Sequence, residues 1–275
     1  MPSSTRHSMQ SVSALLLATM LLSTPCTVIT AQVPPTSRKP APPTPEQAAE
    51  QRRAHEERVR DDWAQLARYR DDNATLGPPG PGERRVVFMG NSITDGWARY
   101  FPTLFPGKPY VGRGISGQTT PQMLVRFRQD VIALRPAVVV ILAGTNDIAG
   151  NTGPSTLEMI QDNLASMVDL AMAHGIRVVL ASVLPAYDYP WKPGLEPAPK
   201  IVALNAWMQR YAAERGAVYL DYHSAMRDER QGLRAELSGD GVHPNEAGYR
   251  MMAPLAERAI GEALRGTGGE AGRTR

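Results

Sequence analysis

The feature of the sequence that most limits its fold is the alternation of short apolar, β-branched runs with longer helical stretches. The runs have the length of strands and lie at 85–89, 137–142, 176–181 and 217–220, with a weaker one at 110–111. Strands that are apolar throughout are typical of a parallel sheet that is covered on both faces. The runs therefore predict a buried, mostly parallel sheet.

Helical segments separate these runs, near 119–134, 155–174, 199–215 and 246–264. Gly175 and Gly216 stand where two of the helices end, and a strand follows each of them at once. This order predicts an α/β fold, a three-layer α/β/α arrangement with a sheet of about five strands.

Composition excludes several classes of protein. The chain has 275 residues, 42% of them apolar, which is enough for one domain with a large core. Its 30 Lys and Arg against 27 acidic residues give a net charge of +3 without a clustered basic run, so we expect no nucleic-acid partner. The single cysteine, Cys26, excludes an internal disulfide framework and a cysteine-based zinc site.

Residues 1–31 are predicted to be a secretory signal peptide. An apolar run over 12–22 follows Arg6 and is shorter than the about 20 residues that span a bilayer. Cleavage before Gln32 would also remove Cys26, which suits an oxidising compartment. We expect an exported protein, periplasmic or extracellular, without stable membrane association after cleavage. An uncleaved N-terminal membrane anchor is the alternative.

Three segments flank the predicted globular domain, which spans 83–264. Residues 32–45 are rich in proline and predict an extended linker, and residues 265–275 predict a disordered tail. Residues 46–82 predict a charged helix that runs to about position 70 and ends in a Gly/Pro turn. The second half of that helix has apolar residues at a spacing that predicts docking onto the domain: Val59, Trp63, Leu66 and Tyr69.

Polar, glycine-rich segments follow three of the strands, at the edge where parallel sheets bind ligands. They lie at 90–95, 112–117 and 144–147, and a fourth at 240–244 precedes the last helix. The second segment spells G-x-G-x-x-G, but the first acid after the next strand is Asp147, well beyond the about 20 residues of a dinucleotide fingerprint. We therefore expect no nucleotide cofactor. A backbone N–H presented to a ligand explains these glycines better.

Two of these segments contain candidates for a nucleophilic triad. Ser92 follows the first strand directly, and His243 follows Asp240 at a distance that allows the carboxylate to hold the imidazole in one tautomer. Simpler interpretations stay open for each residue taken alone. Ser92 or Asp240 could cap a helix, and Asn146 could be a turn residue.

Taken together, the four segments resemble the SGNH hydrolase superfamily, also called the GDSL esterases. The matching blocks read GNSITDGW, GRGISGQTT, AGTND and DGVHPN, in that order, within residues 84–262. The resemblance implies a flavodoxin-like α/β fold and ester hydrolysis through a serine, with no metal or other cofactor. The resemblance predicts that residues 83–264 form an SGNH hydrolase domain.

The resemblance also implies roles for single residues. Ser92 matches the nucleophile, His243 the base and Asp240 its partner. The oxyanion hole would comprise the N–H groups of Ser92 and Gly117 and the side chain of Asn146. The sequence departs from the family pattern before the serine, where the usual Asp is replaced by Asn91. That acid is outside the triad, so we expect the chemistry to survive.

The substrate is less well specified. Four aromatic residues near the predicted site are candidates for contact with substrate: Trp97, Tyr187, Tyr189 and Trp191. They would suit an ester of a short acyl group, such as an acetylated carbohydrate, although the same side chains could simply pack their loops. The alternatives are a lysophospholipase or thioesterase-like acyl hydrolase, an acyltransferase, and a non-catalytic glycan-binding module. The sequence does not determine the oligomeric state.

Overall fold

The structure, a computed structural model, describes residues 44–266, and its elements lie in the compact unit Pro45–Arg275. The predicted signal peptide, the predicted linker up to residue 43 and the tail from residue 267 lie outside the described residues. Within 44–266, no helix is both long and apolar enough to cross a membrane.

Five parallel strands form one sheet in the order β2-β1-β3-β4-β5. The strands are β1 (Val86–Gly90), β2 (Tyr110–Gly114), β3 (Val138–Leu142), β4 (Arg177–Ala181) and β5 (Val218–Leu220). All of β1 and β3 is buried, which explains their unbroken apolar sequence. The predicted strands are confirmed, and β2 continues beyond the predicted 110–111.

Helices cover both faces of the sheet, as the three-layer prediction requires. The helices are α1 (Pro45–Asp61), α2 (Arg70–Leu76), α3 (Ser92–Ala98), α4 (Phe101–Leu104), α5 (Thr120–Asp130), α6 (Thr145–Ala149), α7 (Leu157–Ala173), α8 (Ala198–Arg215), α9 (His223–Met226) and α10 (Glu246–Arg265). The apolar sides of α5, α7 and α8 form one core with the sheet, and those of α3 and α10 form the other.

The predicted helix over 46–70 is shorter than expected. It ends at Asp61, because the carboxylate of Asp62 accepts hydrogen bonds from the N–H groups of Leu66 and Ala67 and closes a turn there. Gln65 has a φ of 53°, which a right-handed helix cannot contain. Three of the four residues in the predicted apolar stripe therefore lie beyond the end of α1.

The segment after α1 docks onto the domain through its main chain. Three glutamine side chains donate hydrogen bonds to its carbonyl oxygens: Gln122 to Trp63 at 2.7 Å, Gln118 to Ala64 at 2.8 Å and Gln129 to Leu66 at 2.7 Å. Tyr69 is buried, and its hydroxyl donates to the carbonyl of Gly114 at the end of β2. Docking thus depends on hydrogen bonds as well as on apolar contact.

Candidate active site

Three of the four polar segments start side by side at the carboxyl edge of the sheet. Gly90 at the end of β1 pairs with Gly114 of β2 on one side and with Leu142 of β3 on the other. Because β1 lies between β2 and β3, the loops that follow these strands start side by side at the carboxyl edge. Ligands of open parallel sheets bind at this edge.

Ser92 is the first residue of α3, and Asn91 is the residue that caps this helix. The Asn91 side chain is buried, and its Oδ1 accepts from the N–H of Ile93. The capping role proposed above for the serine is therefore filled by its neighbour, which leaves the Ser92 hydroxyl available. Its Oγ lies 2.9 Å from Nε2 of His243, a hydrogen-bond distance.

Asp240 and His243 form the second half of this constellation. Oδ2 of Asp240 lies 2.7 Å from Nδ1 of His243, while Oδ1 accepts from the N–H groups of Val242 and His243 at 2.9 and 2.8 Å. Asp240 does not cap the last helix, because Asn245 accepts from the N–H of Gly248 and caps α10. One carboxylate oxygen of Asp240 is thus bonded to the imidazole of His243, and the other to main-chain N–H groups of the turn between them.

The electrostatics of Asp240 favour its charged form. Partial burial works to raise the pKa of the carboxyl, but the hydrogen bonds from the His243 side chain and from two main-chain N–H groups outweigh it. The pKa of Asp240 falls to about 2. At neutral pH an ionised carboxylate therefore faces Nδ1 of His243, which favours the tautomer with the proton on Nδ1 and leaves Nε2 to accept one from Ser92.

Gly117 and Asn146 lie on the loops that flank Ser92. Gly117 has a φ of 80°, and nothing within 4 Å would meet a Cβ there, so backbone conformation is what favours glycine at this position. Asn146 is buried in α6, and its Nδ2 donates to the main-chain carbonyl of Gln118 at 2.9 Å. That bond uses one Nδ2 hydrogen, and the other Nδ2 hydrogen forms no hydrogen bond within residues 44–266.

The other glycines of the G-x-G-x-x-G segment serve packing. A Cβ on Gly114 would lie 2.1 Å from the main-chain nitrogen of Asp95, and one on Gly112 would lie 2.7 Å from Cβ of Ala98. Both positions let β2 approach α3 closely, which brings the loop that contains Gly117 beside Ser92. This accounts for the motif without a dinucleotide.

A buried arginine links the loops after β1 and β2. The Arg126 guanidinium is fully buried and donates to the carbonyls of Gly90 at 2.9 Å and Arg113 at 3.0 Å, to Asp130 at 3.0 Å and to Oε1 of Gln118 at 2.6 Å. Gly90 is two residues before Ser92, and Gln118 follows Gly117. Sequence reasoning missed Arg126, which lies outside the family blocks, and Gln118, which lies inside the second block but was assigned no role.

Two further acidic residues hold the loops together, and sequence reasoning assigned no role to either. Asp95 accepts from the hydroxyl of Ser116 at 2.8 Å and thereby ties α3 to the loop of Gly117. Asp147 is buried and accepts from the N–H of Thr120 at 2.9 Å, which ties α6 to the start of α5. Both acids stand inside the family blocks, which is the signal that could have found them.

The four predicted substrate-contacting aromatics fall into two groups. Trp97 and Tyr189 are 1% and 0% exposed, so the prediction that they contact substrate is wrong. Trp97 packs in the core against Tyr249, and Tyr189 stacks under Trp191 with ring centroids 5.0 Å apart. Spacing alone could not distinguish Tyr189 from a cleft residue, because Tyr189 lies in a loop and a loop has no fixed inward period.

The two remaining aromatics are exposed. Trp191 is 44% exposed, and its ring centroid lies 6.0 Å from that of His243. Tyr187 is 52% exposed and lines a cavity that Ser92 and His243 do not line. Trp191 is thus the predicted aromatic that the structure places beside the imidazole.

No group of three or more His, Cys, Asp and Glu side chains within residues 44–266 is arranged to hold a metal ion. The polar side chains at the edge of the sheet are instead bonded to one another in pairs, as described above. The arrangement can transfer a proton from the Ser92 hydroxyl to His243 and can present N–H donors to a developing negative charge.

Comparison with known proteins gives matches that cover this site. Residues 88–251 match the GDSL-like Lipase/Acylhydrolase family. Two similar curated proteins are acetylxylan esterases: one from Xylanibacter ruminicola, 29% identical over 66% of this chain and 44% of the relative, and one from Geobacillus stearothermophilus, 26% identical over 66% and 95%. The matched part of the chain thus spans less than half of the Xylanibacter protein.

Solved structures agree with this assignment. A GDSL-like lipase from Bacteroides thetaiotaomicron is 47% identical, with a TM-score of 0.71 over 74% of this chain and 100% of that one. The family match covers more than half of the chain and includes Ser92, Gly117, Asn146, Asp240 and His243. The chain therefore belongs to the GDSL-like lipase/acylhydrolase family, within the SGNH hydrolase superfamily that its four sequence blocks resemble.

Proposed function

We propose that the protein is a carboxylic ester hydrolase in which Ser92 is the nucleophile, His243 the base and Asp240 its partner. The observation that carries the proposal is the unbroken chain of contacts from Ser92 Oγ to His243 Nε2 at 2.9 Å and from His243 Nδ1 to Asp240 Oδ2 at 2.7 Å. A hydroxyl is a weak nucleophile until a base accepts its proton, and this order of atoms supplies that base.

In the first step, the Ser92 oxygen attacks the ester carbonyl while its proton passes to Nε2 of His243. The imidazolium that forms is stabilised by the Asp240 carboxylate, which stays ionised because of its lowered pKa. His243 then gives the proton to the leaving alcohol oxygen, and the acyl group remains on Ser92. Water, deprotonated by His243, releases the acyl group as a carboxylic acid and restores the serine.

The carbonyl oxygen becomes negatively charged in both steps and needs donors that are already in place. The N–H groups of Ser92 and Gly117 and the second Nδ2 hydrogen of Asn146 are the proposed donors. The N–H of Ser92 has no intrahelical acceptor, since Ser92 begins α3. Removal of one such donor typically reduces kcat by about 100- to 1,000-fold.

We propose acetyl esters of carbohydrates as the substrate class. Trp191 supports this, because its indole lies on Tyr189, exposed, next to the base, where the alcohol part of the ester leaves. The loop that carries it is held in place: Lys192 donates to the carbonyl of Ala149 at 2.7 Å, and the Asp188 carboxylate accepts from the N–H of Gly194 at 2.7 Å. A rigid aromatic surface suits a sugar ring, and the names of the two acetylxylan esterases support the same class.

Export is part of the proposal and is supported by the sequence of residues 1–31 alone. An acetylated polysaccharide is too large to enter a cell, so an esterase for it has to act outside the cytoplasm.

The test uses residues 32–275, with 4-nitrophenyl acetate and an acetylated xylo-oligosaccharide as substrates and Ser92→Ala as the matched blank. We expect both substrates to be hydrolysed by the parent protein only. If the protein hydrolysed 4-nitrophenyl esters of long acyl chains faster than the acetate, the result would favour a lipid or thioester substrate over an acetylated carbohydrate. Equal release of acetate by the parent and by Ser92→Ala would refute the proposed nucleophile.

A further inference from the structure

A second concave site lies at the same carboxyl edge of the sheet as the candidate active site. It is a cavity of about 920 Å³ between α8 and the segment that runs from β5 to Gln231. Cavities of about 300–1,000 Å³ are typical of small-ligand sites. Asp221 and His223 line it and directly follow β5, so it opens at the carboxyl edge of the sheet, where the loops of Ser92 and Asn146 also lie.

One loop connects this cavity to the candidate active site. Tyr187, Tyr189 and Trp191 alternate along it, exposed, buried and exposed. Trp191 lies beside His243, whereas Tyr187 lines the cavity. Four residues of extended chain span at most about 14 Å, so the Cα atoms of Tyr187 and Trp191 lie no farther apart than that.

The lining of the cavity suits a neutral ligand with many hydroxyl groups. Tyr187 offers an exposed ring, with the Arg230 guanidinium 4.4 Å from its centroid. Two carboxylates and two guanidiniums line the cavity, so their charges cancel and an anionic ligand gains little. Several lining side chains have no hydrogen-bond partner within residues 44–266 and are free to bind hydroxyls: Glu196, Gln209, Arg227 and Gln231.

His223 forms part of the wall of the cavity and is 7% exposed. Its Nε2 is closed off from solvent and has no hydrogen-bond partner within the described residues, so a ligand in the cavity can contact only the part of the ring that lines it. Burial, more than the neighbouring Arg227, lowers the pKa of His223, although Asp221 opposes this, and the neutral ring can bond a hydroxyl group.

We propose that this cavity is a second carbohydrate-binding site, which holds a part of the polysaccharide chain away from the ester that is cleaved at Ser92. The proposal rests on the proposed function for the class of substrate. It differs from that function in the residues it needs, since none of the residues that line the cavity belongs to the triad or donates to the oxyanion.

Binding is measured by titration calorimetry on residues 32–275 with unacetylated xylo-oligosaccharides of increasing length, which the enzyme cannot turn over. We expect Tyr187→Ala to weaken binding of the longer oligosaccharides by about tenfold, and Ala206→Trp, which fills the cavity from the exposed side of α8, to weaken it at least as much. Tyr187→Phe keeps the ring and should bind as the parent does. Val125→Ala, on the exposed side of α5, is the control for folding.

Kinetics separate this site from the active site. For Tyr187→Ala, we expect the ratio of kcat/KM on the acetylated oligosaccharide to kcat/KM on 4-nitrophenyl acetate to fall about tenfold. An unchanged ratio together with unchanged binding would overturn the second site and leave the esterase proposal standing. If the protein bound oligosaccharides through Tyr187 but had no esterase activity, the result would support the second site and refute the proposed function.

Discussion

The side chain of Asn146 donates its hydrogen bond to the main-chain carbonyl of Gln118, the residue that follows Gly117, at 2.9 Å. Two of the proposed oxyanion donors therefore belong to one hydrogen-bonded unit, although they lie on loops that follow different strands. The Gln118 side chain extends this unit to Arg126 and to the carbonyl of Ala64. The orientation of the Asn146 side-chain amide thus depends on residues that do not contact the substrate.

Replacement of Asn146 tests its role as a donor. Asn146→Ala should lower kcat for 4-nitrophenyl acetate by about 100- to 1,000-fold and leave KM within a small factor, because the lost bond exists only while the oxygen is negatively charged. Steady-state kinetics measure both constants. A rise in KM with an unchanged kcat would assign Asn146 to ground-state binding instead.

Replacement of Gln118 tests whether the network positions Asn146. Gln118→Met keeps the length of the side chain but removes its bonds to Arg126 and Ala64, and we expect kcat to fall about tenfold at similar KM. Gln129→Met is the matched control, because Gln129 bonds to the same segment, at Leu66, and not to the loop of Gly117.

A double-mutant cycle separates positioning from general destabilisation. In an Asn146→Ala background, Gln118→Met should cost almost nothing further in kcat, because the group that it positions is already absent. Additive losses would show that Gln118 acts on the fold or on another group.

The buried Arg126 should matter most for stability. Arg126→Met leaves Asp130 buried without its charged partner, with the bond from Nδ2 of Asn73 still in place, and removes the donors to the carbonyls of Gly90 and Arg113. We expect the free energy of unfolding to fall by about 3–5 kcal/mol, measured by urea denaturation. Arg126→Met with Asp130→Leu should recover part of the loss. A loss below about 1 kcal/mol would show that the network contributes little.

The lowered pKa of Asp240 predicts how stability depends on pH. In the unfolded chain an aspartate has a pKa near 3.9, whereas the folded protein holds the pKa of Asp240 at about 2. Its contribution is therefore fully present above about pH 4 and is lost as the pH falls toward 2. The Tm difference between the parent and Asp240→Asn should shrink over that range, with the exposed Asp71→Asn as control. A difference that does not change with pH would contradict this linkage.

The sheet and the contact between Asp240 and His243 could be predicted because their signals are local. Each strand is a short apolar run, and Asp240 and His243 are near neighbours in the chain. The contact between Ser92 and His243 joins residues 151 positions apart, and only the family blocks and the edge rule for parallel sheets predict it. The interpretation of Ser92 and Asp240 as helix caps is excluded only in the folded structure, where Asn91 and Asn245 fill those positions.

Other features could not be predicted from spacing. Trp63, Leu66 and Tyr69 fit a helical period, but the side chain of Asp62 bonds to the main chain and ends the helix before them. Similarly, the chemistry of Gln118 and Arg126 depends on which carbonyl groups the folded chain places beside them. Sequence patterns report burial and period, not the partner of a buried polar group.

The most direct test of the central claim is to label the protein with a fluorophosphonate, which reacts with activated serines, and to locate the adduct by mass spectrometry. We expect one adduct, on the peptide that contains Ser92, with labelling abolished in Ser92→Ala and slowed at least about 100-fold in His243→Ala. An adduct on another residue, or equal labelling of the parent and His243→Ala, would contradict the central claim.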